Sequence, residues 1–291
     1  MPISSIVKFN NFFSKKELLN LLAYGSSPLY ESIIAKYISN PQLKTNRQII
    51  NEIYSYLRKK QRNEYFYLNT IFNKFICGIH NVNTTTALSQ LRIGESIADF
   101  ITINGEGKVY EIKSDLDNLN RLDSQIKEYY KVFSIVSVLV SPFELNNVKK
   151  RLDNLGDMGK AVGIYVLSNK ITISMIDGRN PLSFNKFLNH YAMFAMLRKK
   201  EYESIIIKKY RKLPSVASVF YFKNCFDQFK KIPILEAQNL VFNELKKRNA
   251  VDADVFKKIP MELKSLIYFN RLSSDKQKSV ISFLDKKYGG F

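Results

Sequence analysis

Cysteine and histidine are scarce in this chain of 291 residues, which contains two of each. Cys77 and Cys225 are far apart in the sequence, no CxxC motif is present, and the histidines are not clustered. These absences argue against a disulfide framework and against a zinc site. Such sparse cysteine usage is typical of a protein of the reducing cytoplasm, where we expect this chain to act.

Long apolar segments are also missing. The longest candidate, at residues 135–140, is far shorter than the roughly 20 apolar residues that a membrane helix needs, so we interpret it as a buried strand. The opening residues lack the basic start, apolar stretch and cleavage site of a secretion signal. We therefore expect no membrane partner.

Acidic residues are few relative to basic ones. The chain has 45 Lys and Arg against 26 Asp and Glu, a net charge of +19, and residues 151–291 account for +13 of this excess. Such a charge favours a polyanionic partner, with nucleic acid as the first candidate. The same excess also fits AT-rich coding, because Lys, Asn, Ile, Phe and Tyr are all abundant.

Apolar periodicity divides the chain into helical, mixed and helical parts. Spacing of three and four predicts helices across residues 28–77, and it returns from residue 185 onward. Between them, five β-rich runs predict strands at residues 97–103, 108–113, 134–140, 161–167 and 171–176. An amphipathic helix at 121–132 separates the second run from the third, an order that indicates an α/β fold with a mixed sheet.

These patterns predict three regions. Residues 1–85 form an N-terminal helical segment that packs on the core, residues 86–181 form an α/β core, and residues 182–291 form a basic α-helical C-terminal region.

Two acids and a lysine converge on the first two predicted strands. Asp99 lies in the first strand, and Glu111 and Lys113 lie two residues apart in the second, so these two share one face of the sheet. The glycine-containing link at 104–107 is typical of a hairpin that brings Asp99 close to them. The sequence leaves the hairpin register open, and a slip of one residue would reverse the face.

In the favourable register, this cluster has the chemistry of a Mg²⁺ or Mn²⁺ site. The carboxylates of Asp99 and Glu111 and the backbone carbonyl of Ile112 are hard oxygen ligands, and water and phosphate would complete the shell. Lys113 would orient the attacking water or stabilise the transition state, and the reaction would be the hydrolysis of a phosphodiester bond.

The predicted helix that follows carries a polar stripe at i, i+4 and i+8, formed by Arg121, Gln125 and Tyr129. Such a stripe can face a phosphate backbone, so Arg121 and Tyr129 are candidate nucleic-acid contacts, although Tyr129 fits a packing role equally well. Asp115 and Asp117 are expected to shape the loop that enters this helix.

The pattern D99…E111-x-K113 on two strands, followed by Q125-x-x-x-Y129 on a helix, resembles the PD-(D/E)XK superfamily of restriction-endonuclease-like nucleases. Within that superfamily, three segments are similar to a little-described branch from bacterial genomes and prophages: LRIGESIADFITING, VYEIKSDLDNLNRLDSQIKEYYKVF and IPILEAQ. The resemblance covers about residues 60–180 clearly. It implies a core of the order helix, strand, strand, strand, helix, strand, flanked by the helices on either side.

The resemblance also implies site roles. Asp99 and Glu111 would be metal ligands, Lys113 the catalytic lysine, Gln125 an active-site accessory, and a helical glutamate before the first strand a further metal ligand. Glu64 is the first choice for that glutamate. Glu52 is the second choice. The sequence differs from the superfamily pattern at Ala98, where the superfamily name expects proline.

The sequence therefore predicts a Mg²⁺- or Mn²⁺-dependent nuclease in a defence or DNA-processing role of bacteria or phage, with DNA a stronger candidate substrate than RNA. A homodimer would suit cleavage of both strands. The alternative is a nucleic-acid-binding or partner-binding protein that keeps the fold without turnover.

Overall fold

The structure is a computed structural model, and it describes residues 9, 11–60, 62–79, 82–114, 117–168, 173–248 and 251–290. The chain divides into two compact units. The first combines Met1–Asn83 with Ala250–Phe291, and the second is Thr84–Asn249.

The first unit is helical in the residues described. Its α-helices are α1 Lys15–Tyr24, α2 Pro28–Tyr37, α3 Asn46–Lys60, α4 Glu64–Phe72, α12 Ala253–Lys257, α13 Lys264–Phe269 and α14 Ser274–Asp285, with a 3₁₀ turn at Pro41–Leu43 and a π-helical segment at Asn73–Ile79. Polar side chains begin several of these helices. Ser14 accepts a hydrogen bond from the backbone N–H of Glu17, Ser27 from that of Tyr30, and Asn63 from that of Phe66. Each bond satisfies a donor that the first turn leaves unpaired.

The two sequence segments of this unit share one core. The side-chain amide of Asn69 donates to the hydroxyl of Tyr54 and to the backbone carbonyl of Met261, which joins α4 to the C-terminal segment. The ring of Phe72 packs 4.8 Å from that of Tyr268 on α13. The last helices therefore complete a core that the N-terminal helices begin.

The second unit contains a six-stranded sheet within the described residues. Its strands are β1 Thr86–Ile93, β2 Ser96–Asn104, β3 Glu106–Lys113, β4 Ile135–Val140, β5 Gly163–Leu167 and β6 Ile173–Arg179, in the spatial order 1-2-3-4-5-6. Pairing is antiparallel except between β3 and β4 and between β4 and β5, which are parallel. The predicted mixed α/β architecture is confirmed at this level. Residues 171 and 172 of the last predicted strand lie outside the described residues.

Helices supply the connections that parallel pairs require. Helix α5, Leu122–Tyr129, links β3 to β4, and helices α6 Leu145–Asp153 and α7 Gly156–Ala161 link β4 to β5. The apolar face of α5 places Leu122 and Ile126 in the core beneath the sheet, both fully buried. The predicted helix at 121–132 is thus present but ends earlier, with turns through residue 132.

The β2–β3 hairpin has a fixed register. Ile103 pairs with Gly107 and Asn104 with Glu106, while Gly105 at the tip adopts φ +75°, a conformation that costs glycine little. Gly107 also allows close packing, since a Cβ atom there would lie 2.5 Å from the ring of Phe242. The hairpin is therefore pressed against a helix from much later in the chain.

That helix shows where the predicted domain boundaries differ from the structure. Helices α8 His190–Ala195, α9 Lys199–Tyr210, α10 Ser218–Phe229 and α11 Ile234–Lys246 belong to the same unit as the sheet. On α11, Phe242 stacks on Phe133 at 5.3 Å. The predicted region 182–291 is thus divided between the two units. The sequence could not predict this division, because apolar spacing identifies the buried face of a helix but not the element that packs against it.

Within the described part of the chain, no helix combines the length and the apolar character required to cross a membrane.

Candidate active site

Asp99 lies where backbone pairing between β2 and β3 ends. The last paired residues are Phe100 and Tyr110, so continuation of the register places Asp99 opposite Glu111. The Asp99 side chain then replaces a backbone carbonyl as acceptor, because its Oδ2 accepts a hydrogen bond of 2.8 Å from the backbone N–H of Ile112. Asp99 is half-buried. The hairpin therefore brings the first acid to the second strand by a direct contact.

Glu111, Lys113 and Gln125 form a closed triangle of hydrogen bonds. Lys113 Nζ donates to Glu111 Oε1 at 2.8 Å and to Gln125 Oε1 at 3.0 Å, and Gln125 Nε2 donates to Glu111 Oε1 at 2.5 Å. The side chains of Lys113 and Glu111 are only 8% and 2% exposed. The pair is therefore a buried ion pair in which the amide of Gln125 bridges both charges.

Tyr129 completes the surroundings of Glu111. Its hydroxyl lies 2.5 Å from Glu111 Oε2 and 2.9 Å from the carbonyl oxygen of Ile97. One hydroxyl proton cannot serve both acceptors fully, and the shorter, charge-assisted bond to the carboxylate is the stronger. Burial, followed by the charges of Glu111 and Asp99, raises the pKa of Tyr129, so this hydroxyl stays protonated as a donor.

The predicted nucleic-acid contact by Tyr129 does not agree with this position. The side chain is fully buried and faces Glu111, so it cannot reach a phosphate backbone. The i+8 spacing placed Tyr129 on the stripe of Arg121 and Gln125, but its hydroxyl turns toward the sheet. Arg121, immediately before α5, is exposed and keeps the predicted role as a proposal.

No sequence pattern indicated a role for Gln90. Apolar periodicity alone did not predict strand β1, because TALSQLRI interrupts the alternation of apolar and polar residues. Gln90 adopts φ +52°, a left-handed conformation that is uncommon for any residue other than glycine, while Ser89 and Leu91 on either side pair with β2. Its side-chain nitrogen lies 3.5 Å from Asp99 Oδ1. The bend in β1 therefore sets an exposed amide beside the first candidate ligand.

These donors fit a hard divalent cation in part. Asp99 Oδ2 is held by the N–H of Ile112, and in an extended strand the carbonyl of the same residue points to the same side. Two carboxylates, one carbonyl and a neighbouring phosphate are a common set for Mg²⁺, which keeps several waters. Within the described residues there is no cluster of three or more His, Cys, Asp or Glu side chains suited to a metal.

Two of the other predicted acids belong to the first unit. Glu64 is exposed and begins α4 in the first unit, and Glu52 in the same unit pairs with Lys44 at 2.8 Å. Asp117 accepts hydrogen bonds from the N–H and the hydroxyl of Ser114, at 2.8 and 2.7 Å, and so shapes the loop before α5 as expected. Asp115 lies outside the described residues.

Fold and site together define a mixed α/β protein with a buried Glu–Lys–Gln–Tyr network at the open end of a β-hairpin. A family model described as Bacteriophage P4 protein cII matches residues 57–265, more than two thirds of the chain. The chain belongs to this family. The family name agrees with the phage association expected from the sequence.

One curated relative is protein cII of Enterobacteria phage P4. It is 34% identical over 92 residues, which cover 31% of this chain and 34% of the relative. The chain therefore matches about a third of that protein's length. No solved structure matches the chain.

Proposed function

We propose that this protein is a divalent-metal-dependent nuclease that hydrolyses phosphodiester bonds, with DNA as the expected substrate, in a phage or bacterial defence or DNA-processing role. The observation that carries the proposal is the meeting of Asp99, Glu111, Lys113 and Gln125 at one end of the β2–β3 hairpin. Two carboxylates and one ammonium leave this cluster with an excess negative charge, which favours a cation. The restriction-endonuclease-like arrangement of the core is part of the same proposal.

Asp99 and Glu111, with the carbonyl of Ile112, would hold Mg²⁺ or Mn²⁺. When bound, the cation would supply Lewis-acid stabilisation of the phosphate oxygens and lower the pKa of a nearby water. Glu64 is proposed as a further acid of the site on the resemblance alone.

Lys113 is the residue proposed to act on the reacting atoms. Its ammonium is held by Glu111 and Gln125, so its position is fixed before substrate arrives. A preorganised positive charge stabilises a developing oxyanion without the cost of reorganisation. Gln125 holds both Lys113 and Glu111 and is therefore a positioning residue.

A second function is favoured by one specific feature. Both carboxylate oxygens of Glu111 already accept hydrogen bonds, from Lys113, Gln125 and Tyr129. Such a saturated network also suits a nucleic-acid-binding or partner-binding protein that keeps the fold without turnover.

Cleavage assays separate the two functions. Supercoiled plasmid, linear duplex, single-stranded DNA and RNA would be incubated with Mg²⁺, Mn²⁺ or EDTA. The nuclease proposal expects metal-dependent products from the native chain and their loss in Asp99→Ala and Lys113→Ala. Matched controls are Glu106→Ala and Lys108→Ala, an acid and a lysine on the same strand whose side chains are 72% and 42% exposed. Equal background from all five proteins would reject the enzyme.

Asp99→Asn tests the metal site apart from turnover. The asparagine oxygen can still accept the N–H of Ile112, whereas the charge is gone. We expect Asp99→Asn to keep the hairpin but to lose Mn²⁺ binding measured by calorimetry, and Asp99→Ala to lose both. Unchanged Mn²⁺ binding in Asp99→Asn would remove Asp99 from the ligand set.

A further inference from the structure

Helix α10 exposes large apolar side chains to solvent. Phe220 is 58% exposed and Phe222 43%, and Val219 beside them is also exposed. Further along the helix, Cys225 and Phe229 are buried in the core of the unit. Apolar side chains that are exposed close together often mark an interaction surface, whereas singly scattered ones do not.

Four aromatic rings, those of Phe222, Phe194, Phe226 and Tyr191, form one continuous cluster. Phe222 packs 5.0 Å from the buried Phe194, Phe194 lies 5.5 Å from Phe226, and Phe226 lies 5.4 Å from Tyr191. Tyr191, at the other end, is 57% exposed. Rings anchored from below in this way keep their exposed faces in place, which lowers the entropic cost of binding a planar ligand.

The same surface is strongly basic. Residues 199–231 contain nine Lys and Arg and three Asp and Glu. Lys199 lies 4.9 Å from the ring centre of Tyr221, and Lys230 lies 5.9 Å from that of Phe226. Lys223 and Lys230, whose side chains are 74% and 50% exposed, share Asp227 as an ion-pair partner at 2.9 and 2.6 Å. Two exposed lysines against one carboxylate therefore leave net positive charge beside the rings.

We propose that this aromatic–basic surface, comprising Tyr191, Phe222, Phe226, Lys223 and Lys230, binds a single strand of nucleic acid. Bases of a single strand can stack on aromatic faces while lysine and arginine neutralise the phosphates. In a duplex the bases stack on each other, and a second copy of this basic surface would be repelled by it. The inference deepens the proposed function and rests on it for the choice of nucleic acid.

Binding without cleavage gives the test. A fluorescein-labelled oligothymidylate and a duplex of equal length would be titrated in EDTA with the Asp99→Asn protein, and anisotropy recorded. Tyr191 is the most exposed ring of the cluster, so Tyr191→Ala should weaken single-strand binding about fivefold or more, while Tyr191→Phe should keep it. Lys223→Gln with Lys230→Gln should lower the slope of log affinity against log salt by about 1.4.

Matched controls lie outside the surface. Tyr24→Ala removes an aromatic ring that is 74% exposed in the first unit, and Lys160→Gln removes a lysine that is 71% exposed. Both should bind the oligonucleotide like the parent protein.

Three results would overturn the inference. They are unchanged binding in Tyr191→Ala, an equal loss for duplex and single strand, and a shift from dimer to monomer on sedimentation of Tyr191→Ala. The nuclease proposal fails separately. If the surface does not bind a single strand, cleavage that depends on Asp99 can still be observed. If no cleavage is observed, binding that depends on the surface can still be measured.

Discussion

Replacing Lys113 with methionine is the sharpest test of the site geometry. The substitution keeps most of the side-chain volume and removes the ammonium that contacts Glu111 Oε1 at 2.8 Å and Gln125 Oε1 at 3.0 Å. Glu111, with a side chain only 2% exposed, would then be a buried charge without its cation. The two hydrogen bonds from Gln125 and Tyr129 remain but carry no compensating charge.

Breaking one partner of a buried ion pair costs about 3–5 kcal/mol, whereas an exposed pair contributes about 1 kcal/mol or less. Lys113→Met should therefore destabilise the β3 region by about 3 kcal/mol or more. Adding Glu111→Gln should recover most of this loss, because the buried charge is removed with its partner. Lys108→Met is the matched control on the same strand, where Lys108 makes an exposed contact of 3.9 Å with Glu106.

Amide hydrogen exchange is the suitable measurement, because a chain of two compact units need not unfold in one step. In Lys113→Met, peptides covering residues 106–113 should exchange about 100-fold faster than in the native protein. The same peptides should be unchanged in Lys108→Met. Equal protection in Lys113→Met and the native chain would refute a buried Glu111–Lys113 pair.

Three further outcomes are expected. Gln90→Gly should leave stability unchanged or raise it, since glycine tolerates φ +52°, yet weaken Mn²⁺ binding by calorimetry; equal affinity would deny Gln90 a role beside Asp99. Gly107→Ala should cost about 1–3 kcal/mol in urea unfolding through overpacking against Phe242, and Phe242→Leu should restore part of it; additive losses would contradict that contact. Because the pKa of Tyr129 is raised in the fold, the unfolded chain loses this proton first above about pH 10, and the free energy of unfolding should fall there by about 1.4 kcal/mol per pH unit. Tyr129→Phe should reduce that slope in urea titrations at pH 10–11. An unchanged slope would count against the buried hydroxyl.

The sheet could be predicted from the sequence because its strands carry local signals. Ile135–Val140 is a short apolar run, and Gly105 marks the tip of the hairpin between two β-rich segments. The shared face of Glu111 and Lys113 follows from the period of two alone, and the structure brings these side chains into contact. What the period could not supply was the hairpin register, which depends on the geometry of the turn.

Other features depend on contacts that no local pattern records. Strand β1 carries alternation too weak for a prediction, and a glutamine gives no sign that it will adopt a positive φ. Gly107 looks like part of a turn in the sequence, whereas its lack of a side chain serves the packing of Phe242, far along the chain. The placement of the C-terminal helices with the sheet is a tertiary choice of the same kind.

The site itself arises from the way the hairpin ladder stops. Beyond Phe100 and Tyr110 the two strands no longer exchange backbone hydrogen bonds, and the Asp99 side chain satisfies the Ile112 N–H instead. A buried N–H left unpaired would cost about 1–3 kcal/mol, so Asp99 has a structural role whatever its chemistry. Because the Asp99 side chain replaces the backbone as hydrogen-bond acceptor, its carboxylate lies opposite Glu111, at the point where strand pairing ends. Folding and the proposed catalysis therefore depend on one residue, and only a variant that keeps the hydrogen bond while removing the charge can separate them.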